Sequence, residues 1–166
     1  MRTKRTIENL GSLNKKAAAK FEPFLFAAEQ AMEKKGVKIE VISGYRDGKA
    51  QAAIYQVGRT KPGLKGGYGP GNWATKARPW KSWHNYGLAI DLGLFKNGVY
   101  LDEKKPAEAD KLYAEIGKLA AACGIEWAGN WKSFTESPHF QVTFGKTLAE
   151  LREKMPAVGY DVNKLI

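Results

Sequence analysis

The sequence predicts an α+β fold, in which a small antiparallel sheet is covered by helices on one face. Two long segments repeat apolar residues at three- and four-residue steps, which is typical of amphipathic helices. Short segments between and after them alternate apolar and polar residues, which is typical of strands with one buried face. A sheet layered against helices buries both apolar surfaces.

The first half of the chain contains two predicted helices and one strand. A helix is expected from Asn14 to Lys35, and Gly36 is a typical residue to end it. The strand runs from Val37 to Ser43 and alternates buried and polar positions. A shorter helix follows from Asp47 to Gly58, because aspartate is a good N-cap and the apolar residues after it have helical spacing.

The second half supplies the rest of the sheet. A strand is expected over Leu88–Leu94, followed by a hairpin turn at Lys96–Gly98. Pro106 suits the first turn of a helix that ends at Cys123. A third strand is expected from Phe140 to Phe144, and a final short helix from Leu148 to Met155. The helices that begin at Asn14, Asp47 and Pro106 are expected to cover the sheet.

Length and composition indicate one soluble domain over residues 1–166. Apolar residues make up 43% of the chain, which is ordinary for a globular protein and too high for a disordered one. Neither an internal repeat nor a linker is visible, so no separate binding domain is expected. The one cysteine, Cys123, is expected to pack in the core. No apolar run of signal-peptide or membrane-spanning length occurs.

The charge is strongly basic and locally concentrated. A formal net charge of +10 implies attraction to polyanions, such as nucleic acid, anionic lipid or the acidic polymers of a bacterial envelope. No Asp or Glu occurs from Gly48 to Ile90. Within this window, the segment from Thr60 to Lys81 is rich in Gly and Pro and has no periodic pattern. Long loops of this kind are usually functional, so we interpret it as a binding loop or lid, the alternative being a surface insertion.

Both of the chain's histidines have a carboxylate at suggestive spacing. In the strand after His84, the alternation places Asp91 between Ala89 and Gly93, on the face away from the leucines and Ile90. In the third predicted strand, the same alternation puts Phe140, Val142 and Phe144 in the core, and His139, Gln141 and Thr143 on the other face.

Two imidazoles and one carboxylate match the ligands of a catalytic zinc site, which keeps a fourth position open. The residues are His84, Asp91 and His139, and Glu136 lies close enough in the chain to act as a general base. The alternative is that each histidine is a hydrogen-bonded structural residue and that the aspartate is solvated. Their joint occurrence favours the zinc site.

Two motifs carry a resemblance to a known family. One runs from Ser82 through His84, Gly87 and Ala89 to Asp91, and the other joins Glu136 to His139. Together they resemble the zinc peptidases that include D-alanyl-D-alanine carboxypeptidases, D-Ala-D-Ala dipeptidases and phage L-alanyl-D-glutamate endopeptidases. The resemblance extends over residues 37–144, and the segment 127–140 is most similar to the branch of phage endolysins and related bacillar wall hydrolases.

The resemblance implies a role for each matched residue. His84, Asp91 and His139 would hold one zinc ion, and Glu136 would act as general base and then as general acid. Arg46, in a segment that also contains Gln51, would stabilise the oxyanion, for which its fixed charge and forked donors are suited. Ser82 and Gln51 would bind substrate, although a turn role for Ser82 and a surface ion pair for Arg46 are the plainer interpretations.

Three functions therefore remain open from the sequence. The first is a monomeric phage endolysin that cuts peptidoglycan between L-alanine and D-glutamate, is stored in the cytoplasm until host lysis, and approaches the anionic envelope through its basic face. The second keeps the zinc and changes the bond, as a D,D-carboxypeptidase or dipeptidase. The third is a basic nucleic-acid-binding module, which is not expected because no such motif occurs.

Overall fold

The computed structural model describes residues 1–133 and 135–166. Phe134, which falls within the segment 127–140 considered above, lies outside the described residues. Within the described residues, the structure contains a five-stranded sheet and six α-helices. The predicted α+β class is therefore confirmed.

Five strands form the sheet, in the order β1-β2-β5-β4, and β3 pairs with the far end of β2. Every pairing is antiparallel. The bounds are β1 Val37–Ser43, β2 Ala89–Lys96, β3 Val99–Tyr100, β4 Glu126–Trp127 and β5 His139–Gln141. The register of β1 against β2 shifts between Val41 and Ser43, which is the mark of a β-bulge. A bulge bends the end of a strand, and after it Ser43 lies opposite Asp91, near the start of β2.

The α-helices of the described residues are α1 Lys4–Gly11, α2 Lys15–Glu33, α3 Gly48–Tyr55, α4 Leu101–Lys104, α5 Pro106–Ala122 and α6 Leu148–Ala157. The N-caps of α2 and α3 are Asn14 and Asp47, whose side chains accept backbone N–H bonds from the first turn. None of the helices in residues 1–133 and 135–166 has the length and apolarity that a bilayer crossing requires.

The core lies between the apolar face of the sheet and the two longest helices. Leu88, Ile90, Leu92 and Leu94 are fully buried, so the predicted alternation along β2 is confirmed. They pack with the buried stripes of α2 and α5, which include Phe21, Phe24, Leu25, Met32, Tyr113 and Ile116. The opposite face of β2, which carries Asp91, is left for the site described below.

Several expectations about the elements were wrong or incomplete. The third strand ends at Gln141, and Phe144, which was expected in the core, is 37% exposed. Its backbone has φ 50°, so the chain turns there instead of continuing as a strand. Helix α3 contributes no residue to the core cluster, so it does not cover the sheet as expected. Helices α1 and α4 and strand β4 were not foreseen.

Candidate metal centre and catalytic cleft

His84 lies in a single 3₁₀ turn, Trp83–Tyr86, that leads into β2. Ser82 caps this turn, since its Oγ accepts a hydrogen bond from the His84 N–H at 3.4 Å. Gly87 ends the turn with φ 66°, and a Cβ there would lie 2.6 Å from the backbone nitrogen of Asn14. A side chain at this position would therefore clash with the start of α2.

Asp91 and His139 face each other across neighbouring strands. Asp91 on β2 pairs with His139 on β5, and on its other side it pairs with Ser43 at the end of β1. Residues directly opposite in an antiparallel pair have their Cβ atoms about 4.5–5.5 Å apart. The register alone therefore brings two of the three candidate ligands together, and the turn before β2 adds His84.

The three side chains converge on one point. The Nε2 atom of His84 lies 3.2 Å from Oδ1 of Asp91 and 3.3 Å from Nδ1 of His139, and the third side of the triangle, His139 Nδ1 to Asp91 Oδ1, is 3.1 Å. Ligands at about 2.0–2.1 Å from a tetrahedral zinc ion lie about 3.3 Å apart. The spacing therefore fits three corners of such a site.

The hydrogen bonds of the outward-facing ring nitrogens determine whether the ring nitrogens that face Asp91 carry a proton or a lone pair. The Nδ1–H of His84 donates to the carbonyl oxygen of Gly44 at 2.7 Å, and the Nε2–H of His139 donates to Oε1 of Gln141 at 3.0 Å. In the neutral rings, the nitrogens that face Asp91 then carry lone pairs. Two lone pairs and a carboxylate oxygen held this close are mutually repulsive without a cation, so the donor set fits a divalent metal such as zinc.

The electrostatics of Asp91 agree with this assignment. In the metal-free site, burial would raise the pKa of its carboxyl, but the two imidazoles, when they carry protons toward Asp91, hold that pKa well below the usual range. Asp91 is therefore ionised at neutral pH and supplies an anionic ligand. Asp91 and two neutral histidines together carry one negative charge. A divalent cation bound by them therefore keeps a net positive charge and remains electrophilic.

Arg46 is attached to the His84 turn through its backbone. Its N–H donates to the carbonyl of His84 at 3.0 Å, and its carbonyl accepts from Nδ2 of Asn85 at 2.7 Å. The guanidinium lines the same cleft as the three ligands. Burial lowers the pKa of this guanidinium, while the carboxylates of Asp91 and Glu136 raise it. Arginine remains protonated in proteins, so Arg46 brings a fixed positive charge to the cleft.

Glu136 lies just before β5, in the same cleft. Its N–H donates to the carbonyl of Ala128 at 3.3 Å, and its own carbonyl accepts from the N–H of His139 at 3.1 Å. Burial and the nearby Asp91 carboxylate raise the pKa of Glu136, and the two histidines and Arg46 oppose that shift. A carboxyl with a raised pKa exchanges protons more readily near neutral pH, as general acid–base catalysis requires.

Gln51 and Ser82 occupy different positions relative to the cleft. Ser82 lines it, although its side chain also caps the turn described above. Gln51 is fully buried and does not line the cleft; its Nε2 donates to the carbonyl of Ala77 at 2.8 Å. Its Oε1 atom has no hydrogen-bond partner among the described residues. Gln51 therefore supports the backbone around Ala77, which lines the cleft. Its own side chain does not line the cleft and is not positioned to contact a substrate there.

The cleft has a volume of about 1180 Å³. Its charged lining comes from the segment after β1, the end of the Gly-rich loop, strand β2, helices α4 and α5, and the segment before β5. The charged lining residues are Arg46, Lys76, Arg78, Lys81, Asp91, Asp102, Asp110 and Glu136. Such a volume is large enough for a short peptide segment.

Three features of the site were missed from the sequence. The carbonyl of Gly44 and the side chain of Gln141 orient the two imidazoles, and Trp131 lines the cleft with its ring 5.6 Å from that of His139. Trp127, by contrast, packs against Phe140 in the core. The alternation of β5 had placed Gln141 on the same face as His139, which was the signal available.

The bond from His139 to Gln141 predicts a measurable effect on metal affinity. Gln141→Ala removes the acceptor that fixes the tautomer of His139, so zinc affinity should fall about 10- to 100-fold. Gln141→Glu retains an acceptor oxygen and should stay close to wild type. Competition with a chromogenic chelator measures both. Equal affinity in the alanine variant and the wild type would show that the bond does not orient the ring.

The chain matches one known family and several curated relatives. Residues 75–142 match the family described as D-alanyl-D-alanine carboxypeptidase. The peptidoglycan L-alanyl-D-glutamate endopeptidase CwlK of Bacillus subtilis is 35% identical over 122 residues, which cover 70% of this chain and 67% of that protein. The L-alanyl-D-glutamate peptidase of Listeria phage A118 is 27% identical over 128 residues, 69% of this chain and 41% of the phage enzyme.

A solved structure with the same fold includes a metal. The vancomycin-resistance D,D-pentapeptidase VanY, determined in complex with Zn(II), superposes with a TM-score of 0.50 at 22% identity, over 87% of this chain and 80% of that one. At this identity the likeness concerns the fold.

Proposed function

Because the chain belongs to the D-alanyl-D-alanine carboxypeptidase family of zinc metallopeptidases, we propose that it hydrolyses the stem peptides of peptidoglycan as an L-alanyl-D-glutamate endopeptidase. The observation that carries this proposal is the convergence of His84, Asp91 and His139 within 3.3 Å of one another. The names of the Bacillus and phage relatives support the choice of bond.

The three metal ligands, Glu136 and Arg46 each have a role in the proposed reaction. A zinc ion held by His84, Asp91 and His139 would supply Lewis-acid polarisation of the scissile carbonyl and favour ionisation of water. The carboxylate of Glu136 takes a proton from the attacking water. It then delivers that proton to the amide nitrogen as the C–N bond breaks, so that the leaving amine departs uncharged.

Arg46 is proposed to stabilise the negative charge that develops on the carbonyl oxygen. Its backbone hydrogen bonds to His84 and Asn85 fix the point from which its side chain extends, relative to the ligands. A positive charge fixed in advance requires no reorganisation when the oxyanion forms, which is the source of its advantage over a mobile cation.

A second activity has its own support. The family that matches residues 75–142 is described as a D-alanyl-D-alanine carboxypeptidase, so release of a terminal D-alanine is the competing reaction. An exopeptidase requires a free carboxyl end on its substrate, whereas an endopeptidase accepts a peptide that continues on both sides of the bond. The two activities therefore differ in their products and in their response to a blocked carboxyl terminus.

Mass spectrometry of digested wall peptides tests the choice. Purified peptidoglycan incubated with the zinc-loaded protein should yield peptides with a new amino-terminal glutamate and no free D-alanine. Release of D-alanine alone would instead assign the carboxypeptidase activity. Glu136→Gln is the inactive comparison, and Glu153→Gln, an exposed glutamate on α6, is the matched control that should remain active.

The setting of the reaction is also proposed. The Listeria phage relative supports a role as a phage endolysin, stored in the cytoplasm and reaching the wall on host lysis. The acid-free window from Gly48 to Ile90 would favour approach to anionic envelope polymers. Because such long-range attraction is screened, wall binding by the inactive Glu136→Gln variant should weaken as salt is raised.

A further inference from the structure

The Gly-rich loop is an ordered part of the cleft. Its centre is organised by Asn72, whose Oδ1 accepts from the N–H groups of Lys65 and Gly67 and whose Nδ2 donates to the carbonyl of Tyr68. The end of the loop forms one side of the cleft, through residues 74–78 and Lys81. We refer to residues 74–81 as the basic wall.

The start of the basic wall is tied to the rest of the loop by Arg59. Its guanidinium lies 3.7 Å from the centre of the Tyr55 ring and 4.1 Å from that of Trp73. It also donates to the carbonyl of Thr75 at 3.1 Å. Stacking on two aromatic rings and donation to a wall carbonyl fix the position of Thr75 relative to α3.

The remainder of the basic wall is anchored by hydrogen bonds from residues outside it. Gln51 donates to the carbonyl of Ala77, and the hydroxyl of Tyr86 donates to the carbonyl of Trp80 at 2.8 Å. The ring of Trp80 packs against Tyr160, with centroids 5.4 Å apart. The tryptophans of the loop therefore serve as anchors, and the charged side chains between them are presented to the cleft on a rigid backbone.

Two cations of the basic wall lack a counter-ion. Arg78 and Lys81 are exposed and line the cleft, and neither forms an ion pair within residues 1–133 and 135–166. The Nε–H of Arg78 donates to the hydroxyl of Tyr55 at 3.3 Å, which leaves the two terminal amino groups of its guanidinium for another acceptor. Lys81 directly precedes Ser82, the cap of the turn that carries His84, so it is three residues from a candidate ligand.

The remaining charged lining would repel an anion. Asp102 on α4 and Asp110 on α5 line the cleft, and their mutual repulsion contributes to a raised pKa of the Asp102 carboxyl, of which burial is the main cause. Glu136 and the candidate metal ligand Asp91 add two further carboxyl groups. A negatively charged group on a bound peptide is therefore stabilised only where the cations lie, at the basic wall and Arg46. Since Arg46 is assigned to the oxyanion, the wall is left for a substrate group.

We infer that Arg78 and Lys81 bind a carboxylate of the substrate, namely that of the acidic residue on the leaving side of the scissile bond. The inference rests on the proposed function and specifies its substrate class as peptides with an ionised carboxylate beside the bond cut. A glutamate that is joined to the next residue through one of its two carboxyl groups keeps the other carboxyl free. This free carboxyl lies a few bonds from the scissile nitrogen. Paired cations therefore select a glutamate over its amide, in which the charge is absent.

A pair of peptides that differ in one group tests this inference. Both contain the L-alanyl-D-glutamyl bond; in one the free carboxyl is ionised, and in the other it is a carboxamide. Wild-type protein should prefer the carboxylate by about 10- to 100-fold in kcat/KM, as expected for hydrogen bonds to a charged group. The double variant Arg78→Ala, Lys81→Ala should lose that preference, so that its kcat/KM values for the two peptides become equal.

The matched control removes two charges elsewhere in the same loop. Lys61 and Lys65 are exposed and do not line the cleft, so Lys61→Ala, Lys65→Ala has the same net charge as the test variant. It should retain the wild-type preference; an equal loss in both double variants would mean general attraction and would overturn the inference.

Other outcomes separate the inference from the function on which it rests. Equal cleavage of the two peptides by wild type would overturn the inference and leave the endopeptidase activity standing. Cleavage of neither peptide by zinc-loaded wild type would overturn both. A test variant that loses activity on both peptides to the same degree would assign the two residues to stability of the wall and not to recognition.

Discussion

Glu136→Gln should lower kcat about 100- to 10,000-fold, the usual contribution of a positioned general base and acid. Glutamine keeps the size and hydrogen-bonding shape of the side chain but cannot accept the proton of the attacking water. Zinc content should remain about one ion per chain, because the three candidate ligands are untouched. Metal analysis and single-turnover kinetics on wall peptides measure both quantities, with Glu153→Gln as control.

Glu136→Gln should lower activity, but it should not lower the stability of the metal-free protein. The pKa of Glu136 is raised in the folded state, chiefly by burial, so the folded protein holds this proton more tightly than the unfolded chain does. Ionised Glu136 therefore costs stability at pH values above its folded pKa, and this cost disappears as the pH falls through that pKa. The melting temperature of metal-free Glu136→Gln should equal or exceed that of wild type at neutral pH, and the difference should shrink in acid.

These two measurements distinguish a catalytic role from a structural one. A variant that loses activity and also unfolds at lower temperature would indicate that Glu136 supports the segment before β5. Loss of activity with unchanged or higher stability fits proton transfer. Wild-type kcat in the glutamine variant would remove Glu136 from the proposed mechanism altogether.

His84→Ala should abolish zinc binding at micromolar metal and, with it, hydrolysis. Removing one of three protein ligands leaves two, which is fewer than catalytic zinc sites use. Metal binding to the folded state raises stability, by about 2.7 kcal/mol at a free concentration 100 times the Kd. Added zinc should therefore raise the melting temperature of wild type and leave that of His84→Ala unchanged.

A second ligand variant strengthens the metal test. Asp91→Asn preserves the volume of the side chain and removes only its charge, so it should also lose the zinc-dependent rise in melting temperature. Gln56→Ala, at a position outside the cleft, is a suitable control. If His84→Ala bound zinc with wild-type affinity, the convergence of the three side chains would not be a metal site.

The candidate site could be predicted in part because its residues lie in regular local patterns. The alternation of β2 assigned Asp91 to the face opposite the leucines; the leucines belong to the core cluster, and Asp91 instead faces His84 and His139. The chain contains only two histidines, which reduced the possible imidazole ligands to His84 and His139. Both inferences used neighbours within a few residues, where side-chain direction follows directly from backbone period.

Short elements were predicted least well, for a related reason. Strands β3 and β4 have two residues each, so neither can display a period. Helix α3 has helical spacing, yet it packs outside the core, since its role is to support the loop through Tyr55 and Gln51. Phe144 continued the pattern of β5, but the chain turns before it.

By itself the sequence determined the fold class, the apolar stripes of α2, β2 and α5, and the set of side chains able to hold a metal. Tertiary structure decided that Asp91 faces His139 across the sheet, which nitrogen of each imidazole turns inward, and that Gln51 stands behind the cleft while Arg78 and Lys81 line it. The physical reason is that period and propensity are properties of neighbouring residues, whereas the register of β2 against β5 and the bond from His84 to Gly44 join residues 40 or more positions apart.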